Sequence, residues 1–317
     1  MGYNLSMLFK IDTINSFILF IVFINSLYGS IIYSKNSSNK INFSFFILTI
    51  TISLWCITMF AYRGFFDHDL VLWMARLLYF TAITIPTAFI YFAIIFPYPD
   101  TKLNNYHKYL IPVPMIILCL FSLFPDLFIQ DVILYQDKEN SIVFNQRAHV
   151  LFGLYVICYF IWAYLIIFKK YLRAEGILKT QFGYIFIGTL GSTTITLVTN
   201  LAFLFFGYFD FNWVGQVGII FMITLIFYSI VKFELFNIKL IAIELITFAI
   251  WIIILIRIVH SQNLHGMLTE SGLLIITIIF GVLLIRNVLL VTKQREQIEK
   301  LTNELEQIYS SKHIESL

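Results

Sequence analysis

Nine stretches of the chain run continuously apolar for about the length that a helix needs to cross a bilayer. A hydrocarbon core roughly 30 Å thick takes about 20 helical residues. Segments 14–34, 42–62, 70–97, 109–129, 148–168, 181–208, 213–232, 241–259 and 272–292 meet or approach that length. Inside lipid the backbone N–H and C=O groups find no water, so each spanning segment must satisfy them within itself or in a closed barrel. The runs lack the two-residue alternation of barrel strands, which leaves the helix. Charged residues make up 12% of the chain and mean hydropathy is +0.86, against about 25% charged in soluble domains. The expected fold is therefore all-α: a polytopic membrane helix bundle of about nine transmembrane helices. The first run is too long for a signal-peptide core and lacks a clear small-residue cleavage site, so it reads as a retained span.

The basic residues fix an expected orientation. One set of alternating connections carries Lys35, Lys40, Lys102, Lys108, Lys169, Lys170, Arg173, Lys179, Lys232 and Lys239, and the C-terminal tail adds Arg286, Lys293, Arg295, Lys300 and Lys312. The opposite set carries only Lys10, Arg63, Lys138 and Arg147. Because Lys and Arg favour cytoplasmic loops, the asymmetry places the chain in the cell membrane with its N-terminus outside and its C-terminus in the cytoplasm. The net charge of +3 is spread between spans and offers nothing to nucleic acid. The sizeable outside loop, 126–146, holds two short β-prone runs around "QDKEN", which suits a small hairpin. Cys56, Cys119 and Cys158 lie within apolar runs without disulfide or metal spacing and read as small hydrophobes.

The last span continues as a charged segment, "RNVLLVTKQREQIEKLTNELEQIYSS", with no proline from Ser271 to Ser310, so one continuous helix is expected. Leu284, Val291, Ile298 and Leu305 occupy one heptad position, and Asn287, Gln294, Leu301 and Ile308 the other. Such a seam suits a parallel coiled coil, making Val291, Ile298, Leu301, Leu305 and Ile308 candidate dimerisation and signal-relay residues. A solvated juxtamembrane helix, or one packed on its own bundle, remains the plainer alternative.

"YSIVKFELFNIKLIAIELITF" (228–248) and "WMARLLYFTAITIPTAFIYFAIIFP" (73–97) resemble the N-terminal seven-transmembrane sensor region of bacterial sensor histidine kinases, and "KQREQIEKLTNELEQ" is similar to the helical linker into their dimerisation domain. The resemblance implies a seven-helix sensor bundle over 1–235, an additional pair of spans over 236–292 and a cytoplasmic linker helix over 293–317. It also implies a signal-input module of a two-component system, whose partners would be membrane lipid, a second copy, an unknown small ligand and a kinase domain supplied in cis or as a separate kinase. The family's phosphoacceptor box is not matched: His313 stands in "SKHIESL", without the following Arg and Pro. No ATP-binding sequence is present, so the chain itself is not expected to be an enzyme, and no cofactor is expected.

Polar residues within spans are functional candidates by default. Arg76 lies about two turns into the third span, near Trp73 and Tyr79 on one helix face. Asn200, Trp213 and Gln216 lie near the outer ends of the sixth and seventh spans. One reading gathers Trp73, Arg76, Tyr79, Asn200, Trp213 and Gln216 into an outward pocket for a polar or acidic group, with Asp67, Asp69 or Asp210 as possible partners of Arg76. The alternative is that they hold helices together. Gly188 and Ser192 form a small-xxx-small pair suited to close helix approach, and Pro86 should kink the third span. Glu244 and Arg257 can reach the interface by snorkelling. A small-molecule transporter or channel is the competing function, although no internal repeat and no mid-span acidic residue supports ion coupling. The six histidines lack metal-site spacing, and no mid-span lysine is placed for a retinal.

Overall fold

The computed structural model describes residue 10, residues 12–135, 138–232 and 264–315, and the isolated helical positions Thr247, Ile250, Trp251, Ile254 and Arg257. These fall into two compact units, residues 1–233 and 234–317.

The first unit contains α1 (Thr13–Lys35), α2 (Lys40–Gly64), α3 (His68–Ile95), α4 (Asn105–Leu110), α5 (Pro112–Leu123), strands β1 (Ile129–Ile133) and β2 (Ser141–Phe144), α6 (Gln146–Arg173), α7 (Gly176–Phe205) and α8 (Val214–Lys232). Helix starts follow the local chemistry. Asp12, Asn39 and Asp67 accept from the backbone N–H of Asn15, Ile41 and Leu70, which satisfies donors that have no intrahelical partner. Ends are set by proline. Phe96 and Phe124 precede Pro97 and Pro125, a position that disfavours helical dihedrals, and both are extended. The second case shortens the expected 109–129 span: α5 stops at Leu123 and the chain turns into β1.

Six helices, α1, α2, α3, α6, α7 and Thr269–Val288 of the second unit, are long and apolar enough to cross a membrane. His107–Leu123 and Val214–Ile230 are shorter apolar helices. The run expected at 241–259 lies outside the described residues apart from its five isolated helical positions. Leu54, Leu154, Ile161, Leu165, Ile187 and Phe221 all face outward. Apolar surface on this scale needs lipid to cover it, and the chain is a multi-pass membrane protein.

Helices α1, α2, α3, α6, α7 and α8 pack in sequence, and α8 returns to α1, closing a ring; α5 packs on α3. The closing contact includes Tyr28 stacked on Phe227 at 4.3 Å. Polar pairs join neighbouring helices: Ser26 to Ser53 (3.2 Å), Thr58 to Thr81 (3.1 Å), and Gln181 with Ser229 in a reciprocal pair (3.0 and 3.1 Å). The Gly188 and Ser192 pair does permit close approach. A Cβ on Gly188 would sit 2.7 Å from Leu225 Cδ1, and Ser192 lies against Gly218 of α8.

Pro86 lies inside α3. A proline removes one helical donor and crowds the preceding turn. There the Tyr155 hydroxyl donates to the Ile83 carbonyl (2.8 Å) and meets Thr87 Oγ1 (2.8 Å). At the other end of α3, Lys170 Nζ of α6 donates to the carbonyls of Ala93, Ile94 and Phe96 at 2.9, 2.6 and 2.5 Å. A lysine counted as a cytoplasmic-loop charge is thus also a helix cap.

β1 and β2 form the antiparallel hairpin that the loop sequence suggests. An irregularity between Ile129 and Asp131 puts Ile129 and Val132, three residues apart, on the same buried face. The hairpin is latched to the bundle by charge. Arg63, at the end of α2, reaches Asn15 (3.0 Å), Asp12 (3.2 Å) and Glu139, while the Tyr62 hydroxyl donates to the Asn140 carbonyl (2.8 Å). His68 Nε2 lies 2.8 Å from Asp131 of β1.

In the second unit, α9 (Leu264–Glu315) is one unbroken helix of 52 residues, roughly 78 Å at 1.5 Å per residue. This includes the continuous stretch expected from Ser271 to Ser310. Gly281 packs so closely on Thr247 and Trp251 that a Cβ would clash, and Arg257 pairs with Glu270 at 2.6 Å.

Candidate functional site

The helix ring encloses a cavity of about 750 Å³, counting its open mouth. Its walls come from α2 (Ile52, Trp55), α3 (Leu78 to Pro86), α6 (Phe152, Val156, Phe160), α7 (Ser192 to Leu201), Asn212 and α8 (Ile219, Met222). No lining residue is Asp, Glu, Lys, Arg or His.

Among the polar lining residues, Tyr79 packs against the hairpin segment. Tyr79 is 4% exposed and its hydroxyl has no hydrogen-bond partner among the described residues. Its ring is gripped by Phe128, Phe144 and Phe152, with centroids 5.2–5.3 Å away. An orphaned buried hydroxyl costs about 1–3 kcal/mol, which marks a position where a hydrogen-bonding ligand would be favoured. Asn200 sits in a π-helical turn, Val198–Ala202, that interrupts α7. Such turns recur at functional sites. Its Nδ2 donates to Thr199 Oγ1 at 2.9 Å, and its amide covers the bare backbone of Gly215. Asn212 and Ser192 are buried and contribute polar side chains to the lining.

The six residues grouped from the sequence do not all converge. Tyr79 and Asn200 line the cavity; Trp73, Arg76, Trp213 and Gln216 do not. Arg76 is buried, with its guanidinium 5.2 Å from the Trp73 ring centroid and no partner for Nε among the described residues. None of Asp67, Asp69 or Asp210 is ion-paired to it: Asp67 caps α3 and Asp69 contacts His68. Trp73 faces outward. Gln216, with its amide oriented to suit its neighbours, donates to the carbonyls of Trp213 (2.8 Å) and Asn212 (3.0 Å). That bond anchors the loop carrying Asn212.

Sequence reasoning missed His149. It is buried beside Tyr79, 4.3 Å from the Phe144 ring. It also missed Trp55, Asn212 and the Arg63 latch. The isolated polar letters were visible, but their convergence needs the ring to close.

A helical ring with a mostly apolar interior, a lipid-suited exterior and a packed hairpin defines the class of a multi-pass membrane helix bundle. Residues 17–239 match the family described as the N-terminal 7TM region of histidine kinase, and the chain belongs to that family. This family is a membrane sensor region, distinct from the catalytic kinase core. No curated protein and no solved structure matches the chain.

Proposed function

We propose that the protein is the membrane-embedded signal-input module of a histidine-kinase-type two-component system, with the bundle sensing and α9 relaying the state to a cytoplasmic effector. The family match over 17–239 carries the reading. In this account residues 1–235 are the sensor, 236–292 an additional span pair and 293–317 the linker, giving nine crossings with the N-terminus outside and the C-terminus in the cytoplasm. The basic-residue asymmetry supports that sense. Two copies pair through α9, where Val291, Ile298 and Leu301 are exposed within one copy; Leu305 and Ile308 continue the same heptad seam. A kinase domain, in cis or supplied as a separate chain, receives the signal. A stimulus moves the bundle only by its difference in affinity for two arrangements.

The transporter alternative draws on the same cavity beside an irregular helical turn. Cysteines at Ile298 and Leu305, oxidised in native membranes, test the relay: disulfide dimers are expected, and wholly monomeric chains would contradict it. Flux of a neutral solute through vesicles containing the protein would favour the transporter.

A further inference from the structure

We infer that the ring cavity is a binding site for one class of molecule: an uncharged, membrane-soluble compound with an apolar body and a hydrogen-bond-accepting group, such as a carbonyl, held at the hairpin end. The inference deepens the sensor reading by naming what the bundle takes in, and it replaces the acidic ligand that Arg76 would suggest.

The walls decide the charge. Every lining side chain is neutral, and an ion brought into such a space would keep neither water nor a counter-charge. The nearest buried cation on α3, Arg76, lies over Trp73 and does not line the space. The orphaned groups decide the polarity. The Tyr79 hydroxyl is a buried donor without an acceptor among the described residues, and the Asn212 amide, also in the lining, offers further donors. A carbonyl that reaches either donor would accept from it. Ile52, Trp55, Ile85, Phe160, Ile219 and Met222 supply an apolar wall that suits an aromatic or branched body. The π turn at Val198–Ala202 shapes this end, since Leu197, Asn200 and Leu201 all contribute to the lining.

Benzophenone tests the assignment, because it is a neutral aryl ketone and also a photocrosslinker. Full-length protein in lipid nanodiscs is irradiated with benzophenone or with benzophenone-4-carboxylate, and the adducts are mapped by peptide mass spectrometry. Saturable labelling at Met222 and Ile219 is expected from the ketone alone. Tyr79→Phe should raise the half-saturating concentration roughly two- to tenfold, the loss of one neutral hydrogen bond. Ala82→Trp, which fills the space, should abolish labelling; if that variant does not fold, Tyr79→Phe still decides. Labelling scattered over outward faces, labelling equal for the carboxylate, or half-saturation unmoved by Tyr79→Phe overturns the inference. Organic extraction separates the two sources of such a ligand. One equivalent of a neutral lipid, lost in Ala82→Trp, identifies a bilayer component, whereas empty wild-type protein that still labels identifies a diffusible molecule. Failure of labelling sinks the site and leaves the sensor reading standing. Labelling without any response in α9 does the reverse.

Discussion

Asn200 fills the space where Gly215 lacks a side chain: a Cβ built on Gly215 would lie 2.0 Å from Asn200 Nδ2 and 3.2 Å from Thr199 Oγ1. The π turn of α7 and the first turn of α8 therefore lock at a glycine, and Asn200 is held at the cavity wall by that fit.

Gly215→Ala must displace the Asn200 amide. Because the clash is with the end of a side chain, the loss of stability should be moderate, within the roughly 1–3 kcal/mol of overpacking. Asn200→Ala in the same chain should restore most of it. A double-mutant cycle on thermal unfolding in nanodiscs checks the coupling; additive effects would mean that the two residues do not meet.

Lys170 holds the carbonyls at the end of α3 from α6. Lys170→Met keeps the apolar stem and removes a charge-assisted cap at a helix C-terminus. It should cost about 1.5–3 kcal/mol, read as a lower unfolding temperature, and Lys170→Arg should retain part of the loss. An unchanged transition for Lys170→Met would show the cap to be energetically silent.

Arg63 has a side chain only 2% exposed and is held by Asp12 and Glu139. Removing one partner from a buried ion pair costs about 3–5 kcal/mol. Arg63→Met strands Glu139 and should free the hairpin tip, so trypsin should cut after the exposed Lys138 several-fold faster than in the wild type. An equal cutting rate would mean that the latch does not hold the hairpin.

The Asp131 carboxyl is held below its ordinary value, first by the Val132 backbone N–H and then by His68. A carboxyl with a depressed folded-state value contributes fully above the ordinary carboxylate range, and the contribution is lost as pH falls through the folded value. Hairpin docking reported by the anisotropy of a dye on Gln130→Cys should therefore fall below about pH 4, and it should also weaken as pH rises through the raised value of His68, whose imidazolium is held by Asp69 and Asp131. Asp131→Asn should remove the acid fall. A persisting acid transition in that variant would assign it to another group.

Much of the fold was legible because membrane helices announce themselves by length and apolarity, and because the β-prone runs around "QDKEN" do form a hairpin. The continuity of α9 followed from the absence of proline. The end of α5 was also readable in principle, since Pro125 acts on Phe124 before any packing is considered. The Arg63 contacts were not readable: Asp12 lies 51 residues away and Glu139 farther still. Arg76 drew attention as a charge in a span, yet the cavity is built of neutral residues. Tyr79 and Asn200 could be flagged singly, whereas Trp55, His149 and Asn212 gain meaning only when α3, α6 and α7 become neighbours. Leu305 and Ile308 have their side chains outside the described residues, and the heptad stays a sequence argument there.

In the proposed sensor, the bundle's state reaches α9. Spin labels at Ile298→Cys, in full-length protein in lipid nanodiscs, measure the distance between two copies by pulsed electron resonance. A short inter-copy distance is expected, with its two-state populations shifted when Ala82→Trp fills the cavity or benzophenone occupies it. No inter-copy distance, or one distribution unchanged by either perturbation, would contradict the relay.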